Sequence, residues 1–550
     1  MNSLMKSNMP FMILLGSIII GSCHSQQEAD LIITNTTIYT VDEEFSVQEA
    51  MAVKEGKILA VGTDRAIRQA YRADQVISLD GKYVYPGFID AHCHFLNYGR
   101  NLQHADLTGT GSFEEILEIL QGHHKKHPSS WIIGRGWDQN DWPVKEPPTR
   151  KELDRLFPDT PVLITRIDGH AALANRKALE MAGITGKTEV DGGEVITRNG
   201  VPTGVLIDNA ISLVSRMLPR PGKEETARAL LNAQEDCLAV GLTSVHEAGL
   251  GREEVETIDS LQNAGKLKMR IYVMLNPSEV NFERFIRRGP YQTDRLNVRS
   301  IKLFCDGALG SRGALLLEPY SDDPGNHGLL VSDIHELERL CREAYKYNYQ
   351  VCTHAIGDSA NRLMLNLYGK ILEGPNDRRW RIEHAQIIHP EDFDLFGKYH
   401  IIPSIQTTHA TSDMYWAEDR LGPERMKGAY AFKQLLEQNG WLPNGSDFPV
   451  EHINPLFGFY AGVARKDHEG YPPEGFQTEN ALTREQALRA MTVWAAKAAF
   501  EEDKKGSLVP GKWADFVVLD QDLMNTPIDS TWQARVLMTW IAGEQVFSAE

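Results

Sequence analysis

The sequence predicts an α/β fold: a TIM-type (β/α)8 barrel set between two β-rich ends that pair into a composite β-sandwich. Three observations predict it. The middle of the chain alternates short apolar strand-like runs with helical runs, the signature of βα units and a parallel sheet. Eight such strand runs can be counted. Both ends of the chain are β in pattern, and neither has enough strands to form a closed sheet alone.

The first 22 residues are of another kind. Lys6 is followed by FMILLGSIII and then Gly21 and Ser22 before Cys23. The apolar run is too short to span a bilayer as a mature helix and reads as the core of a signal peptide. Ile20-Gly21-Ser22-Cys23 resembles a bacterial lipobox, which implies cleavage before Cys23 and lipidation of its thiol. An uncleaved anchor or a plain secretory signal is the alternative. Residues 23–29 then form a tether. The expectation is an exported protein, lipid-anchored to the cell envelope.

Five further cysteines, Cys93, Cys237, Cys305, Cys341 and Cys352, form no C-x-x-C pair. Cys93, Cys305 and Cys352 lie in apolar runs and read as small buried hydrophobes, so no disulfide framework is expected. The net charge of −18, with no cluster of Lys or Arg, excludes nucleic acid as a partner. A small-molecule substrate is the expected partner, and a homodimer is compatible with the chain.

Residues 30–82 read as hairpins, with Glu55-Gly56 and Asp80-Gly81 as turns. ADFVVLD (514–520) and ARVLMTWIAGEQVF (534–547) look alike, so 30–82 and 501–550 are expected to build one β-sandwich, with the barrel over 83–500. Barrel strands are predicted at 83–92, 241–246, 269–275, 299–305, 349–354, 379–385, 400–406 and 441–447. Helices are predicted at 224–240, 332–348, 426–440 and 483–500, the last opening on a Thr483/Gln486 capping box.

Residues 95–223 are too long for a βα loop and read as an inserted subdomain over the barrel mouth. It carries a helix opened by Ser112 and Glu115 and a strand-like run, PVLITRID (161–168). Trp131, Trp137 and Trp142 are candidates either for pocket lining or for the subdomain's own core.

PGFIDAHCHF (86–95) organises the site. His92 and His94 are two apart, and in a strand such side chains share one face, so both imidazoles can reach one cation. Two histidines satisfying local hydrogen bonds would be the ordinary reading of this pair alone. Lys302 in SIKLFCDG, His354 in QVCTHAIGD, His384 in RWRIEHAQ and Asp447 in LPNGSDFPV each interrupt or end another apolar strand. In a barrel these ends meet, and charges that are costly alone are compensated at a metal.

Together with GRGWDQ (134–139), RIDGHAALAN (166–175), IKLFCDGALGSRGA (301–314) and GSLVPGKWADFVVLD (506–520), these motifs resemble the amidohydrolase superfamily. The branch is amidohydrolase family 3, which includes N-substituted formamide deformylases. The resemblance covers essentially everything after the tether. It implies a distorted metal-dependent hydrolase barrel. His92 and His94 would hold one divalent metal and His354 and His384 a second. Lys302, as an N-carboxylated side chain, would bridge them, and Asp447 would complete the coordination of the first metal. The alternative is an unmodified Lys302 paired with Asp306 or Asp447 beside a single metal, as in the cytosine deaminase type. There His384 would orient the water. Zinc is the default for such ligands, and iron, manganese or nickel also suit them.

The activity implied is hydrolysis of a non-peptide C–N amide-type bond, with Asp447 carrying the proton. A ring-amidine deaminase, a lactonase and a non-catalytic lipoprotein with a vestigial site are the competing readings. Trp137, His170, His246 and Arg312 are the candidates for substrate contact.

Overall fold

The computed structural model describes residues 26–126, 128–219 and 222–549. The expected signal, the lipobox and Cys23 lie outside these residues. The other five cysteines are buried and unpaired.

The N-terminal segment forms a four-stranded sheet in the order Lys57–Gly62, Ala50–Lys54, Gln27–Thr34, Tyr71–Ser78. Glu55 and Gly56, both at positive φ, close the expected hairpin. Asp80-Gly81 does not. It carries the chain to a second sheet, because Tyr71–Ser78 pairs parallel with Gln27–Thr34. The segment is also not all β. Asp64–Ala70 is a helix whose first turn is capped by the Thr63 hydroxyl, and its single buried residue, Ile67, leaves little apolar periodicity to read.

The second sheet has six strands, in the order Glu544–Ser548, Val536–Ile541, Phe516–Leu519, Tyr83–Pro86, Thr37–Tyr39, Val47–Gln48. Here the two ends of the chain meet, with Phe516 opposite Pro86 and Leu519 opposite Tyr83. This sheet takes its strands from both ends, whereas the first sheet meets the C-terminal segment through single bonds such as Ile58 N to Lys512 O at 2.9 Å. Leu31, Ile33 and Met51 of the first sheet and Val84, Phe516, Val518 and Trp540 of the second bury one another in a single apolar cluster.

The large sheet contains seven parallel strands: Phe88–Cys93, Leu242–Leu250, Arg270–Leu275, Leu296–Phe304, Gln350–Ala355, Arg381–His384 and Ile402–Ser404. A short antiparallel strand, Tyr291–Gln292, is added beside Leu296–Phe304. Nearly every residue of the parallel strands is buried, as expected of strands covered on both faces. The eighth expected strand, 441–447, forms no ladder. Pro443 has no N–H to donate, and Asp447 turns to φ 62°. The segment still spans the gap through single bonds. Gly445 N donates to Ile405 O at 2.9 Å, and Asp447 N donates to His92 O at 2.7 Å. The result is an almost closed parallel barrel. Gly445 is required here, since a Cβ would lie 2.4 Å from His92 N.

The helices at Lys223–Ala239 and Ile334–Lys346 agree with expectation, whereas the third begins only at Phe432. The Thr483/Gln486 capping box is present, but the helix it opens breaks after Ala490 and resumes at Val493. The insert builds its own six-stranded sheet from strands between Ala105 and Asp208. Trp131, Trp137 and Trp142 are all buried in its cores. Trp137 donates its indole N–H to Ile164 O, so its role is packing and not substrate lining.

Candidate metal centre

The carboxyl ends of the parallel strands bring the polar residues of the apolar runs together. His92 is fully buried, with Nδ1 2.5 Å from Glu383 Oε2. Its Nε2 lies 3.0 Å from Lys302 Nζ and 3.6 Å from Asp447 Oδ1. His94 Nε2 is 3.3 Å from the same Asp447 oxygen. His384 turns Nδ1 to Gln406 Oε1 at 2.7 Å, which leaves Nε2 for the centre. Ligand atoms of His92, His384 and Asp447 all lie within 4.8 Å of one another. His354 stands beside them, its ring centroid 4.6 Å from that of His384, and its Nε2 is 3.3 Å from Gly307 O. Lys302 meets His92; Asp306 instead accepts from the backbone N–H groups of Leu315, Ile356 and Gly357.

These groups fit a divalent cation on three grounds. Asp447 Oδ1 is buried and faces two imidazole nitrogens, His94 Nε2 at 3.3 Å and His92 Nε2 at 3.6 Å. Burial pushes His354 and His384 well below the usual imidazole range, and burial together with the Lys302 charge lowers His92 to about 4. Burial alone would raise the Asp447 carboxyl, but the His94 hydrogen bond and the nearby rings hold it well below its ordinary value. Neutral imidazoles and an ionised carboxylate are the protonation states that ligate metals. Burial also lowers the Lys302 ammonium, favouring the neutral amine.

The amidohydrolase family profile matches residues 75–547. The chain belongs to the amidohydrolase family. Among its relatives, Protein LONG AFTER FAR-RED 3 of Arabidopsis thaliana is 36% identical over 546 residues, covering 94% of this chain and 92% of that protein. N-substituted formamide deformylase of Arthrobacter pascens is 27% identical over 541 residues, covering 94% and 98%. A solved structure of an uncharacterized metal-dependent hydrolase from Pyrococcus horikoshii shares the fold, with TM-score 0.75, 29% identity and coverage of 90% of this chain and 99% of that one. This amidohydrolase is therefore a metal-dependent hydrolase of the superfamily.

Above the centre, the amidohydrolase opens a cavity of about 750 Å³ onto His354, His384 and Asp447, with His170 and Arg135 of the insert on its wall. His170 Nδ1 is 2.5 Å from Asp208 Oδ1, and the Asp208 side chain is 2% exposed. Burial disfavours the charged ring, but the Asp208 carboxylate outweighs it and raises the His170 pKa. Two other candidates are elsewhere. His246 is fully buried beneath the centre, with Nδ1 3.1 Å from Arg381 and its ring against Tyr272. Arg312 is paired with Asp322 at 2.8 Å, off the cavity wall. A Gly-rich segment long enough to cross the site instead uses its arginine to hold itself together.

Sequence reasoning missed the residues that orient the ligands. Glu383 bridges His92 and Arg381, Gln406 fixes His384, and Asp208 fixes His170. Asp90 accepts from His92 N at 3.0 Å and from the Ser446 hydroxyl at 2.6 Å, tying the first barrel strand to 441–447. Glu383 in RIEHAQ and Asp90 in PGFIDAHCHF were in view as acids inside apolar strands; Gln406 and Asp208 have no comparable signal.

Proposed function

We propose that this hydrolase cleaves a non-peptide C–N amide bond, of the N-substituted formamide type, with Asp447 as the proton carrier. The observation that carries the reading is Asp447: a buried carboxylate at the floor of a substrate-sized cavity, held ionised by three histidines around it. Likeness to a formamide deformylase along nearly the whole of both chains supports the choice of bond.

His92, His94, His354, His384 and Asp447 would hold one or two divalent cations, zinc by default, with Lys302 bridging as a carbamate. An ammonium cannot ligate a cation, whereas a neutral amine that has added carbon dioxide offers two anionic oxygens, and the buried Lys302 favours the neutral amine. The cation supplies Lewis acidity at the carbonyl and a nucleophilic water at neutral pH. Asp447 takes the proton of the attacking water and returns it to the departing nitrogen. His170, held by Asp208 at Nδ1, presents its other nitrogen to the cavity as a hydrogen-bond donor for the carbonyl oxygen. Glu383 keeps the His92 ring oriented with Nε2 inward.

A panel of N-alkylformamides, longer-chain amides, lactones and aminoheterocycles tests the bond. Release of amine and formate, with the lactones and aminoheterocycles untouched, is the expected result. Turnover of lactones or ring amidines alone would overturn it. We also propose that the mature chain starts at a lipidated Cys23 on the cell envelope. Recovery of the protein without detergent, or a mass matching an unmodified Cys23, would refute that placement.

A further inference from the structure

The cavity wall carries far more negative charge than the hydrolytic centre uses. Seven carboxylates and two guanidiniums line it. The two guanidiniums are accounted for. Arg166, buried, is paired with both Asp138 and Asp168, and Arg135 acts on Asp168. Asp447 belongs to the metal centre. Asp106 lies at the exposed rim, with its Oδ1 held by Thr108 N.

Asp141, Asp413 and Glu451 are left over. Among the described residues, no Lys or Arg lies within ion-pair distance of any of them. The groups that hold them are neutral. Asp413 Oδ2 accepts from the Tyr430 hydroxyl at 2.8 Å and from Gln386 at 3.1 Å, and Glu451 Oε1 accepts from the Ser412 hydroxyl at 2.6 Å. Each contact holds one oxygen, and all three residues line the cavity. Asp413 feels the charge of Glu451, and Glu451 that of Asp141. Burial pushes Asp413 up to about 7 and raises Glu451 and Asp141, and neighbouring carboxylates raise each further; Arg166 and Lys145 oppose this at Asp141 without cancelling it. His409 lies close to Asp413 and Glu451; a single imidazolium there would offset only one of the three charges. The cavity also contains Asp447, 6% exposed, so the acidic wall and the reaction centre share one space.

We propose that the substrate carries a fixed positive charge, an ammonium or guanidinium group, on the part of the molecule remote from the scissile bond. That group docks among Asp141, Asp413 and Glu451, relieving their mutual repulsion. This assignment of substrate class rests on the amide-hydrolase reading above, and its test separates the two.

Two formamides of equal linker length form the probe, one ending in a trimethylammonium group and the other in a tert-butyl group. They match in shape and differ in charge. On the metal-loaded full-length protein, kcat/KM for the cation should exceed that for the neutral isostere by about tenfold or more, the size of one charge-assisted contact. The double variant Asp413→Asn/Glu451→Gln should bring that ratio close to one. Equal kcat/KM values in the parent, or a ratio unmoved by the double variant, would overturn the cation assignment while leaving amide hydrolysis standing. If neither compound is cleaved, calorimetric binding to the same protein gives the ratio from affinity. Preferential binding of the cation then supports the charge assignment and refutes the formamide reading; equal affinities refute the charge assignment.

Discussion

Glu383→Gln removes a charge without changing size, and the structure fixes what that removal does. Glu383 is fully buried and sits between two donors. His92 Nδ1 is 2.5 Å from one carboxylate oxygen, and Arg381 places Nη2 2.9 Å and Nε 2.6 Å from the carboxylate. Burial would raise its pKa, but Arg381 and His92 outweigh it and hold it well below the ordinary range, so the native group is an anion. An amide in its place must turn an NH2 toward one of the two donors. It also leaves the Arg381 guanidinium buried without a counter-charge. Breaking a buried pair from one side costs about 3–5 kcal/mol, and losing the partner of a metal-ligating histidine weakens metal binding by about 10–100-fold. Denaturant unfolding of parent and variant reads the first effect, and competition with a chelator reads the second. A Glu383→Gln protein with parental stability and parental metal affinity would refute the role given to this carboxylate.

Three other changes separate catalysis, metal binding and docking. Asp447→Asn keeps the size and one acceptor oxygen but provides no useful base, so it should keep much of its metal while turnover falls about a hundredfold or more; near-parental turnover with full metal would show another proton carrier. Lys302→Ala should lose metal and activity together, with short carboxylic acids restoring part of both and Lys302→Arg restoring neither; full occupancy of one site without Lys302 would favour a single metal. Asp515→Asn breaks the buried pair with Arg270, which joins the barrel strand Arg270–Leu275 to the loop entering the composite sheet. It should destabilise by about 3–5 kcal/mol without changing metal content. The folded Asp515 carboxyl is held below its ordinary value because Arg270 outweighs the opposing effect of burial. Its contribution is therefore complete above the unfolded pKa of about 3.9 and is lost as pH falls through the lower folded value. Parent and variant should converge in stability over that acid range, and a constant difference there would contradict the pairing.

The residues gathered at the centre were legible because each breaks an apolar run at a strand end, where a parallel barrel gathers its chemistry. His92 and His94 follow strand parity to the same centre. Parity fails at RIEHAQ. Glu383 should face away from a site that holds His384, yet both serve it, because His384 and Ala385 take φ of 75° and 42° and turn the chain out of strand geometry. Asp208, at φ 46°, and Asp447, at φ 62°, are likewise bent into place; backbone of this kind is held by its surroundings and has no local sequence signal. The role of the insert's tryptophans stayed open between pocket and core for another reason. A buried aromatic and a pocket aromatic look the same in sequence, and only the six-stranded sheet beneath Trp137 decides between them. The route of the N-terminal segment was hidden because Asp80-Gly81 has turn chemistry whether it closes a hairpin or carries the chain between sheets.

The central claim is that a metal centre on these strand ends hydrolyses an amide bond. Amine release from a simple N-alkylformamide, measured before and after stripping with a chelator and again after adding zinc, tests it most directly, with His92→Ala alongside. The account predicts release that disappears with the metal, returns with zinc in the parent, and does not return in His92→Ala. Release that survives complete metal removal, or that persists in His92→Ala, would contradict it.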